Sequence, residues 1–104
     1  MSGTEKNMSV ADQERMKGGQ FMKEAEQKLH EAQDDSCEAG KIEEASNLYM
    51  KAGNAFKMAK EWHVAGQVFS EVAGLQLVNG RKIDAGMNYI EAAKCYRKVV
   101  CLSP

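Results

Sequence analysis

The sequence predicts an all-α fold, an antiparallel α-hairpin solenoid of the tetratricopeptide-like kind with about four helices. Three observations lead there. First, the 104 residues are rich in Ala, Glu, Lys and Gln, with Pro104 as their one proline and few β-branched residues; such a chain favours helix over strand. Second, an Ala–aromatic pattern recurs. Ala45, Tyr49, Ala52 and Phe56 return forty positions later as Ala85, Tyr89, Ala92 and Tyr96, and a half-period of twenty relates Ala45, Ala65 and Ala85, then Tyr49, Phe69 and Tyr89. One helix and its turn thus occupy about twenty positions, and two helices make a repeat. Third, the breaks between the later helices are short, and short connections force antiparallel neighbours.

In chain order, residues 1–10 read as a disordered N-terminus, followed by a helical repeat domain over 11–104 that is cut short at its C-terminal end. A first helix is expected over about 11–33, with Phe21, Met22, Ala25, Leu29 and Ala32 as its apolar stripe. Gly18-Gly19 interrupts it and suggests a later start, and Glu24 and Lys28 have the spacing of a favourable pair. EAQDDSCEAGK, residues 31–41, is the longest polar break and reads as a loop. The second helix opens on Glu43 and Glu44, where carboxylates favour the helix dipole. It carries Ala45, Tyr49, Ala52 and Phe56 on one face. Lys60-Glu61 ends it, and Trp62 opens the third helix as a staple against the second. Asn79-Gly80 ends the third, with Gly80 as a left-handed cap. Ser103-Pro104 resembles the start of a further helix. The packing residues expected are Ala45, Tyr49, Ala52, Phe56, Trp62, Phe69, Tyr89 and Tyr96.

The Ala-Gly pairs at 52–53, 65–66, 73–74 and 85–86 interrupt otherwise helical stretches. Each glycine costs roughly 1 kcal/mol relative to alanine. Close approach of neighbouring helices, with an aromatic ring over each small residue, offsets that cost.

Several functions are disfavoured. A net charge of −1 gives no global attraction to nucleic acid or anionic lipid. No apolar run approaches the roughly 18 residues of a membrane span, and the polar N-terminus has no signal-peptide core. Cys37, Cys95 and Cys101 match no metal or redox spacing, and a reducing cytosol is the expected compartment. Cys95 falls on an apolar face as a small core residue. His30 and His63 lack a second ligand at helical spacing, so no metal and no cofactor are expected. Ser70 has no base partner, and nothing suggests an enzyme. Met50, Met58 and Met87 read as core or edge residues. The basic residues cluster in the repeat region, with Lys60 and Lys98 near the ends of helices two and four. Solvated helix ends explain them, and a docking strip for an acidic partner would too.

KIEEA (41–45), NAFKMAKEW (54–62), AGQVF (65–69) and DAGMNYIEAAKCYRK (84–98) resemble the N-terminal part of the alpha-SNAP/Sec17 family of soluble NSF attachment proteins, over roughly residues 22–98. The resemblance implies a cytoplasmic adaptor that wraps a syntaxin-type SNARE four-helix bundle and recruits the NSF ATPase to disassemble it in membrane fusion and vesicle transport. Association with membranes would be peripheral, through the SNAREs. It also implies that Lys60 and Lys98 meet acidic residues of the bundle, with Lys57 and Arg97 as contributing neighbours. The family's apolar membrane loop is replaced here: Glu31 and Ala32 stand where a phenylalanine pair would be, and Asp35 and Ser36 replace a second apolar pair. Acidic residues are repelled by an anionic bilayer, so weak or no direct insertion is expected. The resemblance implies a longer protein whose C-terminal part engages the ATPase, so NSF is expected as a partner only where that part is present. The alternatives are a generic tetratricopeptide-type peptide scaffold and a structural fragment inactive alone.

Overall fold

Among the described residues four helices form a row in which each is in substantial contact with its sequence neighbours: α1 (Val10–Ala32), α2 (Glu38–Met58), α3 (Trp62–Val78) and α4 (Lys82–Leu102). The computed structural model describes residues 8–32 and 38–102, and no strand occurs among them. The predicted all-α hairpin array is therefore observed. Of the disordered N-terminus expected over 1–10, residues 1–7 lie outside the described residues, as does the N-cap expected at Ser103-Pro104, while Val10 already begins α1.

Helix α1 starts earlier than Gly18-Gly19 suggests. Ser9 Oγ accepts the Asp12 backbone N–H at 3.1 Å, a cap that fixes the first turn. The helix then runs unbroken through both glycines because Gly18 is buried under the Phe56 ring of α2. The loop expected over 31–41 is also shorter. Glu31 and Ala32 belong to the last turn of α1, and 38–41 already belong to α2. Burial of Ala32 and a 3.1 Å Lys41–Glu31 ion pair hold these turns together. Asp35 and Ser36 lie outside the described residues. Lys28 does not pair with Glu24; it reaches across to Glu44 on α2 at 3.2 Å.

The core lies between the helices and is built from the predicted repeat. Ala45, Tyr49, Ala52, Phe56, Phe69, Ala92 and Cys95 are all buried, with Val68 and Val72 of α3 between them. Trp62 and Tyr96 pack against it half-buried. Tyr89 departs from the prediction: it is 45 % exposed. The equivalent Tyr49 is covered because α2 has α1 and α3 on its two sides, whereas α4 is substantially contacted by α3 alone. Ile83, Met87 and Ile90 are exposed on α4 for the same reason. Among the methionines, Met50 joins the core margin, while Met58 and Met87 are exposed.

The glycine pairs divide. A methyl group on Gly53 would lie 2.9 Å from the Phe69 ring, and one on Gly66 would lie 2.9 Å from the Tyr96 ring. With Gly18 under Phe56, each helix lends a glycine to an aromatic of the next. Gly74 and Gly86 face open space, so close approach does not account for them.

The two tight turns share one hydrogen-bond pattern. Gly80 N–H donates to the Leu77 carbonyl and Arg81 N–H to the Gln76 carbonyl, with Gly80 at φ 77°. Lys60 N–H donates to Lys57 and Glu61 N–H to Phe56, with Lys60 at φ 62°. Both are Schellman caps, which place a left-handed residue just past the helix end. Glycine fills that position after α3, as predicted. A lysine fills it after α2.

Candidate functional site

The end of α2, the start of α3 and the last turns of α4 meet along one edge of the row. His63 and Tyr96 pack edge to face with ring centroids 6.0 Å apart. Lys98 Nζ lies 5.0 Å from the centroid of Trp62. The antiparallel pairing of α3 and α4 thus brings Lys98 beside the Lys60 turn, although the two are far apart in sequence.

Lys60 is exposed and left-handed at its backbone, and it has no ion pair or hydrogen bond from its ammonium among the described residues. Lys98 is exposed and lies over the Trp62 face, a cation–π arrangement that leaves the charge accessible to water. Arg97 is exposed and unpaired among the described residues.

Lys57 does not join them. It is part-buried, ion-paired with Glu91 of α4 and 5.8 Å from the Phe69 ring centroid. Its charge ties α2 to α4 across α3, so it belongs to the scaffold.

Glu61 lies next to Lys60 on this edge. Arg15 of α1 neutralises it with a 2.9 Å bond from Nε and also bonds Asp12. This chelation raises the Arg15 pKa and lowers that of Asp12, in each case chiefly through their mutual hydrogen bond. Sequence reading passed over Arg15. No local pattern marks it, since its partner is 46 residues away. Arg15, Asp12 and Glu61 together keep one negative charge, which Lys60, Arg97 and Lys98 outweigh.

The opposite edge is organised differently. There Arg81 is held by Glu43 at 2.9 Å and Asp84 at 3.2 Å, and Asn79 Nδ2 donates to the Ala39 carbonyl at 3.0 Å. These bonds lock the α3–α4 turn onto the start of α2. Glu31 is engaged by Lys41 and Ala32 is buried, so neither presents a loop surface. No helix among the described residues is long and apolar enough to cross a membrane. No group of three or more His, Cys, Asp or Glu among them could hold a metal ion.

Residues 16–102 match the family described as soluble NSF attachment protein. The alpha-soluble NSF attachment protein of Homo sapiens is 42% identical over 60 residues, covering 58% of this chain and 20% of the relative. The beta-soluble NSF attachment protein of Bos taurus is 40% identical over 58 residues, 56% of this chain and 20% of the relative. The alpha-soluble NSF attachment protein of Vitis vinifera is 33% identical over 82 residues, 79% of this chain and 27% of the relative. The chain therefore spans about a fifth to a quarter of the length of these relatives. No solved structure matches it.

Proposed function

The chain belongs to the soluble NSF attachment protein family, and from that premise we propose that it is a non-enzymatic adaptor that docks on assembled SNARE bundles through the Lys60–Lys98 edge. In this reading it helps bring the NSF ATPase to the bundle for disassembly in vesicle fusion and transport, and it meets membranes peripherally, through the SNAREs.

The observation that carries the reading is the backbone of Lys60. A left-handed residue costs about 1 kcal/mol when it is not glycine. The same cap after α3 uses glycine. A lysine in this position meets that cost, and its side chain forms no hydrogen bond or ion pair among the described residues to offset it. Backbone strain of this kind is a pointer to function. Lys98 lies over the ring of Trp62, two residues on, and Arg15 engages the nearby Glu61. An acidic helical bundle is the partner that such an edge would steer and orient.

The test is binding of the folded chain to a purified, assembled SNARE bundle at low and physiological salt. The proposal expects salt-sensitive binding. It expects Lys60→Glu/Lys98→Glu to weaken that binding by about tenfold or more, since exposed ion pairs contribute up to about 1 kcal/mol each and charge reversal adds repulsion. Equal binding by both proteins would refute the edge as the docking site.

The exposed apolar side of α4, with Ile83 82 % and Ile90 59 % exposed, favours a second reading. There the chain is a packing unit for another helical element, and the folded chain alone would leave the bundle unbound.

A further inference from the structure

Ser46 of α2 is a polar residue in an apolar place. It is 4 % exposed and stands beside the fully buried Ala45. Its hydroxyl is the one buried side-chain nitrogen or oxygen without a hydrogen-bond partner among the described residues. A serine inside a helix commonly turns its hydroxyl back to the carbonyl four residues earlier. Here that carbonyl belongs to Ile42, and the bond is not made. The repeat does not call for a hydroxyl either: twenty and forty positions later the chain has Gly66 and Gly86. Buried polar groups are normally satisfied, so an orphaned hydroxyl points to a partner from outside the chain.

Ser46 lines a small cavity of about 20 Å³, with Glu43 of α2, Gln76 of α3, and Asn79 and Arg81 of the α3–α4 turn around it. That volume holds about one water and no organic group. The lining decides between a water and an ion. Glu43 is the carboxylate here, and Arg81 already bonds it at 2.9 Å, so a cation finds no free carboxylate. The same carboxylate repels an anion. Two carboxamides offer complementary groups. Gln76 Oε1 accepts from Asn88 Nδ2 at 2.9 Å, which leaves the Gln76 nitrogen as the donor for a ligand. Asn79 Nδ2 donates to the Ala39 carbonyl at 3.0 Å, which leaves the Asn79 oxygen as the acceptor. A buried water needs two to four polar partners, and a hydroxyl, a donor and an acceptor supply them.

We infer that this cavity is a binding site for a single structural water, which hydrogen-bonds Ser46 Oγ, accepts from Gln76 Nε2 and donates to Asn79 Oδ1. The water joins the N-terminal half of α2 to the end of α3. It adds to the Arg81–Glu43 and Asn79–Ala39 bonds that hold the α3–α4 turn against α2. The site lies on the edge opposite Lys60 and Lys98 and is independent of bundle docking.

Two measurements on the full chain test it. The first is a high-resolution crystal structure. The expected map has one solvent peak about 2.7–3.0 Å from Ser46 Oγ, as well ordered as the side chains around it. A map without that peak, or with Ser46 Oγ bonded to the Ile42 carbonyl, would overturn the inference. The second is the thermal midpoint of Ser46→Ala, followed by circular dichroism. An orphaned hydroxyl costs stability and alanine is the better helix former, so a dry cavity predicts a higher midpoint in the variant. A bound water reverses the sign, because alanine removes one of its anchors. The expected result is a midpoint lowered by about 2–5 °C, the net of one lost hydrogen bond and the gain in helix propensity in a domain of this size. A midpoint equal to or above that of the wild type would overturn the inference.

Discussion

Gly53 and Gly74 look alike in sequence, each following an alanine within a helix, yet they sit in opposite surroundings. A methyl group on Gly53 would press on a Phe69 ring that is 2 % exposed and has nowhere to go. One on Gly74 would meet nothing within 4 Å. Gly53→Ala is expected to lose about 1–3 kcal/mol through overpacking. Gly74→Ala is expected to gain up to about 1 kcal/mol from helix propensity and a stiffer unfolded chain. Thermal unfolding midpoints read both, and shifts of the same sign would contradict the aromatic-on-glycine packing. Lys60 is the second residue whose environment decides its meaning. Lys60→Gly relieves the left-handed backbone and should raise stability by about 1 kcal/mol while weakening bundle binding. A glycine variant that binds fully would leave the strain without a functional account. Neither distinction was legible beforehand. Pattern reading identifies a small residue or a cation, but ring contact and backbone handedness arise only when helices are placed.

At the scale of the helices, α2 is the element that tertiary structure protects most, and Tyr49 reports on it. Burial, first, and then the negative charges of Glu26 on α1 and Glu71 on α3 push its phenol up to about 12 from the ordinary 10. The folded state thus holds the proton more tightly than the unfolded chain does. This contribution to stability is fully present below pH about 10 and is lost as pH rises from there through about 12. Denaturant unfolding of wild type and Tyr49→Phe across that window checks it: the wild type should lose stability with rising pH more steeply than the variant. Parallel curves would mean that Tyr49 is not enclosed between α1 and α3. The element order and the α2–α3 and α3–α4 turns were readable from the repeat and from Gly80. The α1–α2 connection was not. Glu31 and Lys41 look like loop residues in a polar stretch, and the burial of Ala32 together with the ion pair across the turn explains why the helices extend into it.

For the molecule as a whole, charge is sorted between its two edges. Where α3 meets α4 near the start of α2, Arg81 is neutralised twice. Where α2 ends and α4 ends, Arg15 bridges Glu61 and Asp12, and Lys60, Arg97 and Lys98 have no carboxylate partner among the described residues. The net charge of −1 conceals this asymmetry. Lys60 and Lys98 were legible as helix-end cations, and the structure brings them to one edge around Trp62. Lys57, four residues before the Trp62 turn begins at Glu61, appeared equivalent in sequence but spends its charge on Glu91. The central claim is therefore one of place, and amide hydrogen exchange of the folded chain with and without an assembled SNARE bundle tests it most directly. The account predicts added protection around the Lys60–Trp62 turn and the last turns of α4, with little change at the Asn79–Arg81 turn. Protection confined to the Asn79–Arg81 edge or to the exposed Ile83–Ile90 side of α4, or none in a folded chain, would contradict it.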